Sequence, residues 1–456
     1  MKQLLLAFLI FSSISSIAQI AFVDSSLTWE QLAKKAKDEN KLVFIHVEGS
    51  GCEQCNTVAT QGFSSPILKE KFAKNFVSTR VNIESKNGLK FAEKFKIPHP
   101  LISLFVDADG NVLHKYVGST SSGITYAQQA DMAISKIGQK PFAAYEKQYE
   151  AGERSPAFIR EFITRQKEMQ MPIDRLLDEY AGMLTIDSLQ NFETVKFIYK
   201  QSPTVDSRIY KAIQAVTPRK IIDSIYKNIP YPEAVAINNG IIGSTFRKAV
   251  KTKDQNLVFQ LSSFIQGTYG NDYEVGYMAS QRNLNQYMHA IKDTAQYIMG
   301  VSNFINHHYM MLSVDSLKRI DAKQLARQPK TQHNGGPGVT SSVVSFPPPS
   351  QFYHIELNEH AWHFYEMSNR KSDLEKALMW SKKSIEWFDE LNKGKNHPMT
   401  LGNPAYLDTY AHLLYKLGHK EEAIVWQTKA VEASKAAKQP FPTIEKELAK
   451  MKAGTL

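Results

Sequence analysis

The chain has 456 residues, of which 43% are hydrophobic and 22% are charged. A chain of this length and composition exceeds a single packed core, so we expect two or three folded domains. The formal net charge of +10 is spread among interleaved acidic residues. No basic stripe alternates with aromatic residues as it does in nucleic-acid-binding surfaces, so we expect no nucleic-acid partner.

The N-terminus has the pattern of a cleavable export signal. Lys2 precedes a short apolar run at 4–10, and the small-residue site Ser16-Ile17-Ala18 follows it. The run is too short to anchor the chain, and no later stretch approaches the roughly 18 apolar residues of a membrane-spanning helix. We expect a signal peptide at 1–18 and a mature protein without a membrane span, periplasmic or secreted. A buried N-terminal helix is the alternative.

Helical and strand patterns alternate from residue 28 to 137, as the periodicity of apolar residues shows. The predicted elements are a helix capped by Thr28-Trp29-Glu30-Gln31, a buried strand at 42–47, a helix from Ser65-Pro66, a strand at 76–83, a helix at 89–95, a strand at 101–106, a hairpin strand at 112–117 and a helix at 125–137. The order is α-β-α-β-α-β-β-α.

The only two cysteines form the motif Cys52-Glu53-Gln54-Cys55, directly after the first buried strand. A bridge across two residues stabilises a fold little, so reactivity is the better reason for the pair. With the segment Ile97-Pro98-His99-Pro100 and the turn Asp107-Ala108-Asp109-Gly110, this order resembles the thioredoxin superfamily over 22–138. It is most similar to exported thioredoxin-like proteins of Gram-negative bacteria. The resemblance implies an α/β thioredoxin-like domain at 19–138, with a central mixed sheet flanked by helices.

The resemblance also implies a role for each cysteine: Cys52 is the nucleophile and Cys55 the resolving thiol. A helix N-terminus favours the anionic form of the first sulfur, and only a thiolate attacks a disulfide. Gly51, Glu53 and Gln54 flank the pair as substrate-contacting positions. The carboxylate of Glu53 disfavours the thiolate, which slightly favours a reductant; oxidase and isomerase roles stay open. No cofactor is expected beyond the redox-active disulfide itself.

Two helper positions depart from the family pattern. Thioredoxins commonly place a buried acid six residues before the first cysteine, where it relays a proton for the resolving thiol, and here His46 occupies that position. Histidine can relay a proton near neutral pH, or it can be a core residue satisfied by a backbone carbonyl. Glu48, on the same strand face, is a second candidate. Gly51 replaces the usual Trp before the first cysteine.

The family also carries a cis-proline opposite the cysteine pair. Pro100 is the expected cis-proline because it stands at the start of the strand at 101–106, whereas Pro98 lies earlier. Two trans prolines in a turn are the alternative. His99 is expected to flank the site.

Strand alternation disappears beyond 138. Capped helical segments, such as the one that begins at Ser155-Pro156, predict a large all-α domain of stacked helical hairpins at 139–328. The Gly- and Pro-rich segment at 329–352 predicts a loop or linker. The spacing of small and large residues at 407–430 is similar to tetratricopeptide repeats, so the helical region at 353–456 is expected to cap the array.

Protein thiols and disulfides are the expected substrates, together with an unidentified electron donor and a protein partner on the helical region. A metal site is a rival interpretation, because two thiolates can hold a soft metal. One CxxC supplies only two ligands, however, and His307-His308 is an isolated pair, so no metal is expected. The second rival is a non-catalytic scaffold that binds proteins through its helical repeats.

Overall fold

A computed structural model of the protein describes residues 19–327, 348–395, 397–439 and 442–456. The predicted signal peptide and positions 329–347 of the predicted linker lie outside these residues. The chain divides into two compact units, Met1–Ser244 and Thr245–Leu456. Their boundary lies within one helix, Tyr231–Thr252. The domain boundary at 138 stays a prediction.

The first unit begins with the predicted α/β region, and its elements follow the predicted order except for two short helical segments at 53–62, which were not predicted. They are α1 (Trp29–Asp38), β1 (Leu42–Glu48), α2 (Glu53–Thr57), a π-helical segment (Val58–Gly62), α3 (Pro66–Asn75), β2 (Phe76–Asn82), α4 (Lys86–Lys94), β3 (Ile102–Val106), β4 (Val112–Val117) and α5 (Gly123–Ile134). The capping box at α1 is present, with the Thr28 and Gln31 side chains each bonded to the other's backbone N–H.

The four strands form one mixed sheet in the order β2-β1-β3-β4. β1 is parallel to β2 and antiparallel to β3, and β3 is antiparallel to β4. Because β1 is central and covered on both faces, its apolar run is nearly continuous. Phe22 adds an isolated parallel bridge to Ser78 of β2.

A hydrophobic cluster lies on each face of this sheet. Alternation along β1 sends Phe44 to one face and Val43 and Ile45 to the other. The first cluster is rich in aromatic rings and includes Phe44, Val58, Phe63, Phe72, Phe105 and Tyr126. The second is aliphatic in the sheet and includes Val43, Ile45, Val47, Val77 and Val81. His46 shares the Phe44 face, so it lies beneath the segment that follows the cysteines.

The remainder of the described chain is mostly helical, as predicted, but the predicted linker ends too late, because residues 349–352 already belong to the helix Pro349–Met367. The first unit continues with α6 (Phe142–Glu150), α7 (Pro156–Glu168), α8 (Asp174–Met183), α9 (Ile186–Leu189), α10 (Phe192–Lys200), α11 (Arg208–Val216), α12 (Arg219–Asn228) and α13 (Tyr231–Thr252). The Ser155 hydroxyl accepts a hydrogen bond from the Phe158 N–H and begins α7, where a proline follows it.

The second unit consists of helices that pack on their neighbours in the chain. They are α14 (Gln255–Thr268), α15 (Tyr273–Ala290), α16 (Thr294–His308), α17 (Val314–Arg327), α18 (Pro349–Met367), α19 (Lys371–Asn392), α20 (Pro404–Lys416), α21 (Lys420–Ala436) and α22 (Pro442–Ala453). α14 packs with α15, α18 with α19, and α20 with α21. Buried Ala411, Ala423 and Ala430 join the last helices. Assignment to the tetratricopeptide class stays a prediction.

None of the helices in the described ranges combines the length with the apolar character that crossing a bilayer requires.

Candidate functional site

The cysteine loop leaves the C-terminal end of the central strand β1. Gly49-Ser50-Gly51 connects the strand to Cys52, the N-cap residue of α2. Gly51 has φ +68, and a side chain there is strained because the left-handed region disfavours a Cβ atom. Glycine therefore fits this position better than the tryptophan that the family usually has.

Cys52 and Cys55 form a disulfide at the first turn of α2. The Cys55 backbone N–H donates to Cys52 Sγ across 3.0 Å. Cys52 is half-buried, whereas Cys55 is only 3% exposed. A partner molecule can therefore reach the first sulfur but not the second. This asymmetry suits Cys52 as the attacking sulfur and Cys55 as the resolving one.

The loop before the cysteines is held from two sides. The Asn82 amide donates to Ser50 Oγ across 3.1 Å, and the Ser50 N–H donates to Glu84 Oε1 across 3.3 Å. On the other side Gly49 packs against Pro100, and a Cβ at Gly49 would lie 3.2 Å from Pro100 Cγ. Asn82 ends β2 and Pro100 lies just before β3, so both lie at the edge of the sheet from which the cysteine loop leaves. Their contacts hold the loop in place at this edge.

The expectation of a cis-proline at Pro100 is wrong. No cis peptide bond occurs among the described residues, so the bonds before Pro98 and Pro100 are both trans. A trans bond before proline is favoured by about 0.5–1 kcal/mol unless the surroundings impose the cis form. Here the chain reverses at the next residue, Leu101, which has φ +61, and it then enters β3. Pro100 still lies against the cysteine loop, as the family position requires.

The substrate-contacting positions differ in what the structure shows. Gln54 and Gly51 are exposed beside the disulfide. Glu53 begins α2, and its side chain lies outside the description. His99 is exposed, and its Nδ1 lies 2.8 Å from the Pro100 carbonyl oxygen. That contact fixes the ring beside Pro100, on the outer side of the site.

His46 is completely buried on the face of β1 that faces Phe63, in the segment that follows the cysteines. Its Nδ1 shares a hydrogen bond of 2.8 Å with Ser103 Oγ on β3, and its ring packs edge-on against Phe63. Nε2 has no hydrogen-bond partner among the described residues. Burial, with the positive charge of Arg80 as a smaller cause, lowers the pKa of His46 to about 3. The imidazole is therefore neutral at physiological pH.

Glu48, the second candidate for proton transfer, is already engaged. The Arg80 Nε–H donates to Glu48 Oε1 across 2.5 Å, and the two residues lie on neighbouring strands. Glu48 is therefore better described as one member of a structural ion pair than as a proton carrier.

Sequence reasoning did not single out Ser103, which is fully buried and bonded to His46. A hydroxyl inside the otherwise apolar run at 101–106 was the available signal, because buried polar side chains need partners. It also passed over Phe63, which separates His46 from solvent and packs against Phe44 and Tyr126.

The two sulfurs are the only thiol ligands that the sequence offers a metal. Within the described residues, no three side chains of His, Cys, Asp or Glu lie where they could share an ion.

Residues 25–105 match the family of thioredoxin-like proteins. No curated protein matches the chain. A solution structure of a "putative disulphide-isomerase" from Bacteroides thetaiotaomicron is similar at 20% identity, covering 27% of this chain and 96% of that one, with a TM-score of 0.23. The family match covers the strand, the cysteine loop and the Pro100 segment, so the N-terminal region is thioredoxin-like.

Proposed function

We propose that this protein, whose thioredoxin-like region carries one CxxC disulfide, is a thiol:disulfide oxidoreductase of the cell envelope that acts on protein substrates. One observation carries the proposal: Cys52 and Cys55 are paired at the start of a helix, and only Cys52 is open to solvent. Disulfide exchange needs one accessible sulfur and one that resolves the intermediate. The envelope location rests on the export signal that the sequence predicts at 1–18.

In the reduced form, the Cys52 thiolate attacks one sulfur of a substrate disulfide. A mixed disulfide forms, and the other substrate sulfur leaves as a thiolate that takes up a proton. Cys55 then loses its proton and attacks Cys52 Sγ, which re-forms the internal disulfide and releases the second substrate sulfur. Two electrons and two protons pass to the substrate. A thiol donor must return them, and no cofactor takes part.

The first sulfur has electrostatic support from the backbone. The Cys55 N–H points at Cys52 Sγ, and the unpaired N–H groups of the first helical turn favour a negative charge there. The charge of Glu53 opposes this support and makes the thiolate less stable. The reduced pair then gives up electrons more readily, so we favour a reductant over an oxidase or isomerase.

His46 is the residue that we assign to proton transfer at Cys55. It packs against Phe63, in the segment that follows the cysteines, and in the tautomer whose Nδ1–H donates to Ser103 Oγ its Nε2 can accept a proton. A pKa of about 3 makes it a weak base in the oxidised protein, but a thiolate that forms nearby raises the pKa of an imidazole. Ser103 holds the ring through Nδ1 and is a positioning residue.

The test uses the full chain and three variants, Cys52→Ser, Cys55→Ser and, as a control in the same helix, exposed Asn56→Ser. The reduced wild type and the control should reduce a small aromatic disulfide, with dithiothreitol as the electron donor. Cys52→Ser should be inactive. Cys55→Ser should accumulate mixed disulfides with envelope proteins, visible on non-reducing gels.

Selective alkylation of Cys52 at mildly acidic pH is a second readout. Absence of both reduction and trapped partners in the intact protein would overturn the proposal. It would favour the second candidate, a non-catalytic scaffold, to which the long helical region at α6–α22 lends weight because helical arrays bind protein partners.

A further inference from the structure

Strand β4 is an edge strand, and its C-terminal end lies at the redox end of the sheet. The Leu101 N–H donates to the Val47 carbonyl across 2.8 Å, and the Gly118 N–H donates to the Leu101 carbonyl across 3.0 Å. These bonds form a row from β1, just before the cysteine loop, to the last residues of β4. Val117 lies two strand spacings, or about 10 Å, from β1.

The outer side of β4 would attract an extended polypeptide. In an antiparallel pair successive N–H groups alternate in direction. Since the Gly118 N–H points toward β3, the Val117 N–H points outward, away from the sheet. Unpaired N–H groups on an edge strand are a template for another strand.

The Val117 N–H donates instead to a residue from the helical part of the first unit. Gln170 lies in the turn between α7 and α8, and its Oε1 accepts the Val117 N–H across 2.8 Å. The contact joins positions 53 residues apart in the chain. Gln170 is exposed, so this contact lies at the surface, where it competes with strand addition at the end of β4.

The turn that carries Gln170 is fixed in place. Glu168, near the end of α7, accepts from Lys136 across 2.6 Å and from Arg165 across 2.8 Å. The two basic side chains are only 12% and 14% exposed, so this network is partly shielded from solvent. Met169 is buried directly before Gln170. A second, exposed contact joins Lys96, near the Pro100 segment, to Glu146 of α6 across 3.7 Å.

We propose that Gln170 is a specificity-determining residue of the redox site, which closes the β4 edge to extended polypeptides and leaves small disulfides unhindered. An extended chain covers about 3.3 Å per residue, so three residues span the roughly 10 Å between β1, at the base of the cysteine loop, and Val117. A small disulfide touches only the cysteine loop. The helical region thus selects clients whose disulfide is presented without a flanking strand. This inference rests on the proposed function.

The experiment compares two substrates, a small aromatic disulfide and a synthetic peptide that is rich in β-branched residues and contains one disulfide. Each is reduced by the full chain with dithiothreitol as the electron donor. Gln170→Ala removes the cap, and Gln170→Gly removes it while suiting the positive φ of this residue. Gln170→Glu is the matched control, because it keeps an acceptor at the same reach.

Loss of one backbone cap should lower KM for the peptide about fivefold in the Ala and Gly variants, with kcat and both constants for the small disulfide unchanged. The Glu variant should match the wild type. A peptide-to-small-disulfide ratio that is unchanged in the Ala and Gly variants, or a higher KM for the peptide, overturns the inference while the proposed function stands. A wild type inactive on both substrates overturns the proposed function, and with it the inference.

Discussion

The thioredoxin-like region and the second unit bury polar groups in different ways. In the thioredoxin-like region the buried histidine His46 has one bonded nitrogen and one without a partner. It packs against Phe63, in the segment that follows the cysteine pair. In the second unit, several histidine, tyrosine and charged side chains bond to one another inside the helical packing, while the buried hydroxyls of Tyr287 and Tyr415 have no partner among the described residues.

One buried network of the second unit consists of polar side chains that bond to one another. The Arg282 Nε–H lies 3.0 Å from both carboxylate oxygens of Glu356, and the Tyr309 hydroxyl also donates to that carboxylate. The Tyr297 hydroxyl lies 2.7 Å from His360 Nδ1 and 2.6 Å from His363 Nδ1. Burial therefore does not identify a site by itself. A buried polar atom is informative when it lacks a partner and lies near a group that reacts.

The largest effect that distinguishes the two regions is the loss of Glu356. Burial would raise the pKa of this carboxyl, but hydrogen bonding from His360 and the charge of Arg282 hold it below its ordinary range. Glu356→Ala leaves Arg282 as an unpaired, largely buried charge, so the free energy of unfolding should fall by about 3–5 kcal/mol. Urea unfolding followed by circular dichroism measures the change.

Glu366→Ala, on the exposed side of the same helix, is the control and should change stability by no more than about 0.5 kcal/mol. Equal effects of the two substitutions would show that the network does not stabilise the second unit.

A smaller effect is the pH dependence that His46 gives the thioredoxin-like region. Its pKa is about 3 in the folded protein and 6.5 ordinarily, so the unfolded chain binds more protons below pH 6.5. The neutral imidazole therefore costs no stability above pH 6.5. The free energy of unfolding falls as the pH drops from 6.5 toward 3. Between pH 6.5 and 5 it amounts to about 2 kcal/mol of unfolding free energy.

Denaturant unfolding of the wild type and of His46→Gln at several pH values tests this. The stability difference between the two proteins should shrink or reverse by that amount toward pH 5. Parallel pH profiles of the two proteins would mean that the buried imidazole takes up a proton without cost.

The smallest effect is at the cap of α1. Thr28→Ala removes the hydroxyl that accepts the Gln31 N–H, so the free energy of unfolding should fall by about 1 kcal/mol. Thermal unfolding measures it, with exposed Thr60→Ala in the π-helical segment as the comparison. If the Thr28→Ala variant unfolded at the same temperature as the wild type, packing of Leu32 and Ala36 alone would hold this helix.

Local patterns predicted the α/β region well because its signals are local. The capping box at Thr28, the β-branched run of β1 and the proline after Ser65 each determine an element within a few residues. The position of Cys52 at a helix start followed instead from the family resemblance, since no local pattern predicted the helix at Glu53–Thr57.

Contacts between distant positions could not be predicted in this way. Ser103 bonds to His46 across 57 residues and Gln170 bonds to Val117 across 53, and neither pair has a sequence pattern. The trans bond before Pro100 depends on how Leu101 turns the chain, which the tertiary surroundings decide. The division at Ser244 lies inside a continuous helix, where composition does not change.

The first described residues have a consequence for handling the protein. Ile20 is 3% exposed, and its N–H donates to the carbonyl of Phe63, the ring that packs on His46. Val23 bonds to Ser78 immediately afterwards. A tag fused at residue 19 would emerge one residue from the core, and trimming past Ile20 would remove support from the ring above the buried histidine. Affinity tags and fluorophores therefore belong at the other end of the chain, where they leave this support intact.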